Sequence, residues 1–231
     1  MRRYLGWGIA LAAVMARPGE AQQAGPLTIA VLPFEDRGSY GQDKEVFRAL
    51  ELGIPATLAA ELGRNPRVRV ADQGRVKQAL EAQKLGPNAR VDAATAAKVG
   101  SDAGARYAIT GNFADFYGKF RIDARVVDAE NGQILKVISN SDPKLQDRTD
   151  LTRIIQSLAA QVLAAVNLPA SANPSAARAI TVPTEALNHY SLGLLYESEG
   201  DKAKAGEHYQ RALTTFPDYA EARDGMQRVR Q

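Results

Sequence analysis

Three groups of residues in this 231-residue chain are of types that do chemistry. Glu35, Asp36 and Arg37 follow an apolar run, a position where α/β folds often hold ligands, and neighbouring carboxylates can act as an acid–base pair. The same three residues equally suit a solvated turn. Ser141 and Lys144 have the S-x-x-K spacing of a serine nucleophile beside a lysine. That chemistry also needs SDN and KTG segments, and the sequence has neither, so the stretch reads as a strand end followed by a turn. His189 and His208 are the only histidines, and their separation fits no local metal-ligand spacing. His189 is expected to pack and His208 to lie on the surface. There is no phosphate loop, no GxSxG and no HExxH. No catalytic residue, cofactor or metal is assigned, and a non-enzymatic protein is expected. A cluster of Tyr107, Phe113, Phe116, Tyr117 and Phe120 reads mainly as strand core and hairpin packing, with Phe116 and Tyr117 beside a turn as candidates for an exposed contact.

The elements that must position these residues follow from periodicity. Leu27 to Phe34 is a nearly continuous apolar run, as in a buried strand. Residues 46–64 carry Leu50, Ile54, Leu58 and Leu62 at helical spacing, with Pro55 inside and a break near Gly53 open. VRVAD, starting at Val68, alternates as a short strand. A helix follows with Val76, Leu80 and Leu85 inward and Gly86-Pro87 as its stop, then another over 91–103. Three strands come next, joined at Tyr117-Gly118-Lys119 and at Ala129 to Gly132 by hairpin turns. Residues 147–166 form an amphipathic helix. Early strands linked by helices suggest parallel pairing, and the later hairpins add antiparallel strands. The fold class is α/β, a mixed sheet with covering helices. Residues 167–184, rich in Ala, Ser and Pro, read as an extended linker.

The N-terminus has Arg2 and Arg3 before an apolar stretch and a small-residue site near Ala21, the pattern of a secretory signal peptide over 1–21. The stretch is short for a membrane anchor, the alternative reading. With no Cys there is neither a disulfide nor a lipid acceptor, so a periplasmic protein that is not a lipoprotein is expected, with outer-membrane association open. Removing the leader takes 29 basic and 26 acidic residues to 26 and 25, a net charge of +1. With no basic patch, nucleic acid is not an expected partner, nor is a membrane span expected in the mature chain.

Residues 186–219 carry large side chains at Leu192, Tyr196 and Tyr209, small ones at Gly193, Ala205 and Ala212, and a closing Pro217. This resembles a tetratricopeptide repeat, two antiparallel helices meeting over small residues. Gly200 suits the turn, Asp201 can cap the second helix, and Asp218 can cap a closing helix from Tyr219 to Arg230. The resemblance adds to the fold class a small all-α helical hairpin with a closing helix, over 185–231. It implies protein binding, and the recruiting face is expected where Tyr190, Leu194 and Glu197 project. One repeat cannot bury its apolar face alone, so it must cover the preceding domain, a second copy of itself or a partner.

Residues 27–166 carry IAVLPFED, VRVADQGRVKQALEAQKLG, GARYAITGNF and RVVDAENGQIL in order. The first 114 residues of that stretch, about Leu27 to Asn140, resemble the CsgG-like family of exported bacterial proteins, which includes curli-assembly and flagellar members, and more distantly LpoB-type activators of cell-wall synthases. The resemblance implies an α/β domain and a scaffold or accessory role in envelope assembly or secretion, with envelope proteins as partners and a homo-oligomer left open. A subunit of an outer-membrane secretion complex and a synthase activator are the alternatives. A channel subunit needs two long membrane hairpin strands, for which this sequence has no room.

Overall fold

Ile29 to Leu32 and Phe34 are buried, covering both faces of the first strand, which pairs on both sides. The computed structural model describes residues 25–84, 90–140, 145–169 and 181–231. The expected leader, the Gly86-Pro87 stop, Ser141 to Lys144 and most of the expected linker lie outside the described residues.

Strand β1 (Leu27–Asp36) runs parallel to β2 (Val68–Val70) on one side and to β3 (Tyr107–Phe116) on the other. β3 then pairs antiparallel, without a break in register, with β4 (Lys119–Asp128), which pairs antiparallel with the edge strand β5 (Ile134–Ser139). A two-residue β6 (Gln146–Asp147) meets the start of β4. The sheet order is β2-β1-β3-β4-β5, the mixed α/β sheet expected from the sequence.

Alternation along the strands divides the sheet into two covered faces. Ala30, Leu32, Ala108 and Val127 meet α2 (Gln73–Ala82) and α3 (Ala93–Asp102). Asp72 and Asp92 cap these helices by accepting from the amides of Arg75 and Thr95. Ile29, Val31, Ile109, Phe113, Phe120 and Ile122 meet α1 (Lys44–Gly63) and α4 (Leu151–Ala165). α1 is unbroken through Gly53 and Pro55, so the break that Pro55 left open near Gly53 does not occur. Phe47, Leu50, Ile54, Leu58 and Leu62 are all buried along it, and that continuous apolar face outweighs one missing N–H.

Three further helices close the chain: α5 (Thr184–Ser198), α6 (Lys202–Thr215) and α7 (Ala220–Arg230). Gly200 makes the α5–α6 turn at φ 83°, and Asp201 caps α6 through the Lys204 amide. The N-cap of α7 is Tyr219, not the expected Asp218, and makes no side-chain cap bond.

Helix α5 lies along α1. Gly53 is the crossing point: a Cβ there would overlap Ser191, whose hydroxyl donates to the Leu187 carbonyl at 2.7 Å. Leu192 and Leu195 pack on Ala49, and Arg48 donates to Glu199 at 2.7 Å on the rim. The described ends of the expected linker are docked as well. Leu168 and Val182 are buried, Asn65 donates to the Pro169 carbonyl at 3.1 Å, and Thr152 donates to the Val182 carbonyl at 2.7 Å.

Candidate functional site

The β3–β4 hairpin turns in two residues, Tyr117 and Gly118, at φ 53° and 87°. Positive φ at both central positions is the type I′ turn that fits the strand twist, and Asn-Gly is its usual sequence. A bulky side chain at positive φ is disfavoured, yet the Tyr117 ring stands 84% exposed. It stacks on Tyr40, with centroids 5.9 Å apart, and Tyr40 lies 6.0 Å from Phe116. Tyr40 is 55% and Phe116 38% exposed, so the three rings form an open aromatic shelf.

What holds the shelf is a buried polar network beneath it. Asp115 is 1% exposed, and its carboxylate accepts from the Gly118 amide at 2.6 Å and pairs with Arg148 at 3.0 Å. Its own amide donates to the Ser39 hydroxyl at 2.9 Å, and that hydroxyl donates to Asp36 at 2.6 Å. The Tyr40 amide donates to the Asp115 carbonyl at 2.8 Å, joining the β1–α1 loop to the hairpin. Arg148 also reaches Asp43 at 3.3 Å, and Lys119 pairs with Asp147 at 3.2 Å. Amide and hydroxyl bonds from Thr149, with Lys119, hold the Asp147 carboxyl down at about 2. Rigid aromatic rings on a braced base lose little entropy on contact, which suits them to binding by apolar and stacking contact.

The other residues singled out for chemistry are engaged in bracing. Glu35 pairs with Arg37 at 3.3 Å and accepts from the Val91 amide at 3.0 Å, while Asp36 holds the Ser39 turn. Phe113 and Phe120 stack within the core at 5.5 Å. A cleft of about 340 Å³ between α4 and the β4–β5 side of the sheet is lined by Ser139, Asn140, Gln146, Ser157, Gln161 and apolar groups, with no ionisable side chain among the described residues.

The C-terminal helices place the expected recruiting residues inward. Tyr190 is buried, its ring 5.0 Å from Tyr219 and 6.1 Å from Tyr209, so it is not part of an open face. Leu194 is half-buried against the same core. Glu197 accepts from Arg228 in a two-bond fork at 2.8 and 2.9 Å and from the Tyr209 hydroxyl. Burial would raise the Glu197 carboxyl, but Arg228 and the Tyr209 hydroxyl hold it below its ordinary value. Burial pushes the Tyr190, Tyr209 and Tyr219 hydroxyls up. The physical reason for this inward turn is α7, whose Gly225 closes over the Tyr209 ring from the side opposite Gly193. A side chain at either glycine would meet that ring, so one tyrosine packs between two backbones.

Of the expected packing residues, Ala205, Tyr209 and Ala212 are fully buried within the three helices, and Pro217 is exposed with its carbonyl accepting from Arg223 at 3.0 Å. Leu192 faces α1 and not α6. Tyr196 bonds Glu45 of α1 through its hydroxyl and stacks on His208 at 5.4 Å. His208 is half-buried, not a free surface residue, and its Nδ1 lies 3.2 Å from Nδ1 of His189. Burial lowers both imidazoles, with Arg211 adding to it. Sequence reasoning missed Tyr40, whose role depends on a loop returning beside the hairpin.

No protein-family model matches the chain, and no curated protein does. Among solved structures it is similar to LpoB of E. coli at 14% identity and a TM-score of 0.41, over 50% of this chain and 55% of that one. It is similar to the lipoprotein GNA1162 from Neisseria meningitidis at 19% and 0.42, over 59% of this chain and 96% of that one. It is also similar to the PelC dodecamer from Paraburkholderia phytofirmans at 17% and 0.34, over 62% and 89%. The chain thus spans about half the length of the LpoB structure. Likeness at this level assigns neither a family nor an activity. Among the described residues no helix is long and apolar enough to cross a membrane.

Proposed function

We propose that this chain is a non-enzymatic protein-interaction module of the bacterial envelope, a periplasmic scaffold or accessory factor in assembly or secretion. It presents the Tyr40–Phe116–Tyr117 shelf to a protein partner. The observation that carries the reading is Tyr117, a bulky ring kept at positive φ and left almost wholly in water. Neither turn stability nor core packing gains from that ring. Locally unfavourable residues held in place by a rigid surround concentrate at binding sites, and exposed aromatics are enriched in interface cores. The envelope location rests on the leader-like N-terminus.

The test is capture of envelope proteins on the immobilised chain, comparing wild type with a Tyr40→Ser/Tyr117→Asn double variant. Both substitutions lie on the exposed shelf and leave the buried network untouched, so folding is checked simply by circular dichroism. Loss of specific partners from the folded variant supports the reading. An unchanged set of partners rules the shelf out as the contact.

A further inference from the structure

The histidines were assigned no joint role in the sequence, yet α5 and α6 bring them face to face. Nδ1 of His189 and Nδ1 of His208 lie 3.2 Å apart, with the rings tilted by 34° and their centroids 5.4 Å apart. Two imidazole nitrogens each about 2.0–2.1 Å from a tetrahedral ion are held about 3.3 Å from one another. The observed separation therefore fits a shared ion as well as a ring-to-ring hydrogen bond. The scaffold is stiff: both residues sit mid-helix, and the His208 ring is stacked at 11° on Tyr196, which Glu45 of α1 anchors by a hydrogen bond. The charge around the pair is mixed. Arg211 acts on His189 more strongly than Glu185 does, and it stands ahead of Glu45 and Glu207 in acting on His208, so geometry and not charge is what offers the ion a seat.

We propose that His189 and His208 form a seat for a borderline divalent transition-metal ion, ligated through both Nδ1 atoms, with water completing its coordination. Among the described residues no third His, Cys, Asp or Glu completes a ligand set, so the site is an open one of moderate affinity. Imidazole ligation suits Zn²⁺, Ni²⁺ and Cu²⁺ and disfavours Mg²⁺ and Ca²⁺.

The experiment uses the untagged full chain, because an affinity tag of histidines would mask the effect. Calorimetric titration with ZnCl₂ is compared among wild type, His189→Ala, His208→Ala and the double variant. The expected result is one ion per chain in wild type, at least a tenfold weaker affinity in each single variant, and background heat in the double variant. Arg211→Gln is expected to tighten binding. Because a variant can lose its fold, ¹⁵N spectra of the wild-type imidazoles are followed during the titration, and the Nδ1 signals of both rings are expected to move together. Equal zinc binding by wild type and folded double variant, or Nδ1 signals that stay fixed while zinc is added, overturns the site.

Discussion

Tyr117 concentrates the balance of this protein in one residue. Its φ of 53° belongs to Asn or Gly, and its exposed ring has no use in the core. Tyr117→Asn is therefore expected to stabilise the fold by about 1 kcal/mol, read as a raised denaturant midpoint at unchanged slope. The same substitution is expected to weaken partner capture. A variant that binds as well as wild type would mean that the turn is simply suboptimal. Asp147, near the same tip, gives a pH dependence. Its folded value of about 2 lies below that of an unfolded aspartate. The stability it contributes is present above the unfolded value, near pH 4, and is lost as pH falls toward 2. Asp147→Asn is expected to remove that part of the acid slope while leaving the slope above pH 5 unchanged, as measured by thermal melts across pH 2–6.

The element scale is set by the crossing of α1 and α5. Gly53 and Ser191 touch backbone to side chain, and the crossing is framed by Leu192 and Leu195 on one flank and Arg48–Glu199 at the rim. Gly53→Ala raises the helix propensity of α1 by about 1 kcal/mol, which by itself would stabilise. The new Cβ overlaps Ser191, however, and overpacking a close contact costs about 1–3 kcal/mol. The net expectation is destabilisation in chemical denaturation, and Gly53→Ala/Ser191→Gly is expected to recover most of it. A stabilised single variant would show that α5 does not sit against α1 in solution. This element also explains what sequence could not show. Helical spacing identified α1 and α5 separately, but periodicity has no term for which helix lies on which. Gly53 therefore read as a possible break, when it is a point of contact.

At the scale of the whole molecule, the C-terminal helices share a core with the sheet layer through Tyr190, Tyr219, Leu187 and the α1 side chains beneath them. Unfolding is expected to occur in one transition, with circular dichroism and tyrosine fluorescence giving coincident melts. Removing residues 185–231 would uncover Ala49 and the neighbouring face of α1. That truncation is expected to aggregate, so surface point variants are the sounder probe of binding. Two separated melts would show that the helical unit folds independently.

The sequence by itself determined most of the elements: the order of the helices and the longer strands, the hairpin positions, the Gly200 turn and the Asp201 cap, because these depend on local periodicity and backbone chemistry, whereas β6 stands where the helix over 147–166 was expected to begin. It also placed Phe116 and Tyr117 beside a turn. Only the tertiary structure decided what those elements cover. Packing of Tyr190 between the Tyr209 and Tyr219 rings turned it inward, and the docking of α5 on α1 redirected Leu192. The return of the β1–α1 loop set Tyr40 on Tyr117, and the pitch of α5 against α6 brought two distant histidines to 3.2 Å. Each of these depends on contacts between residues far apart in the chain, which spacing along the sequence does not encode.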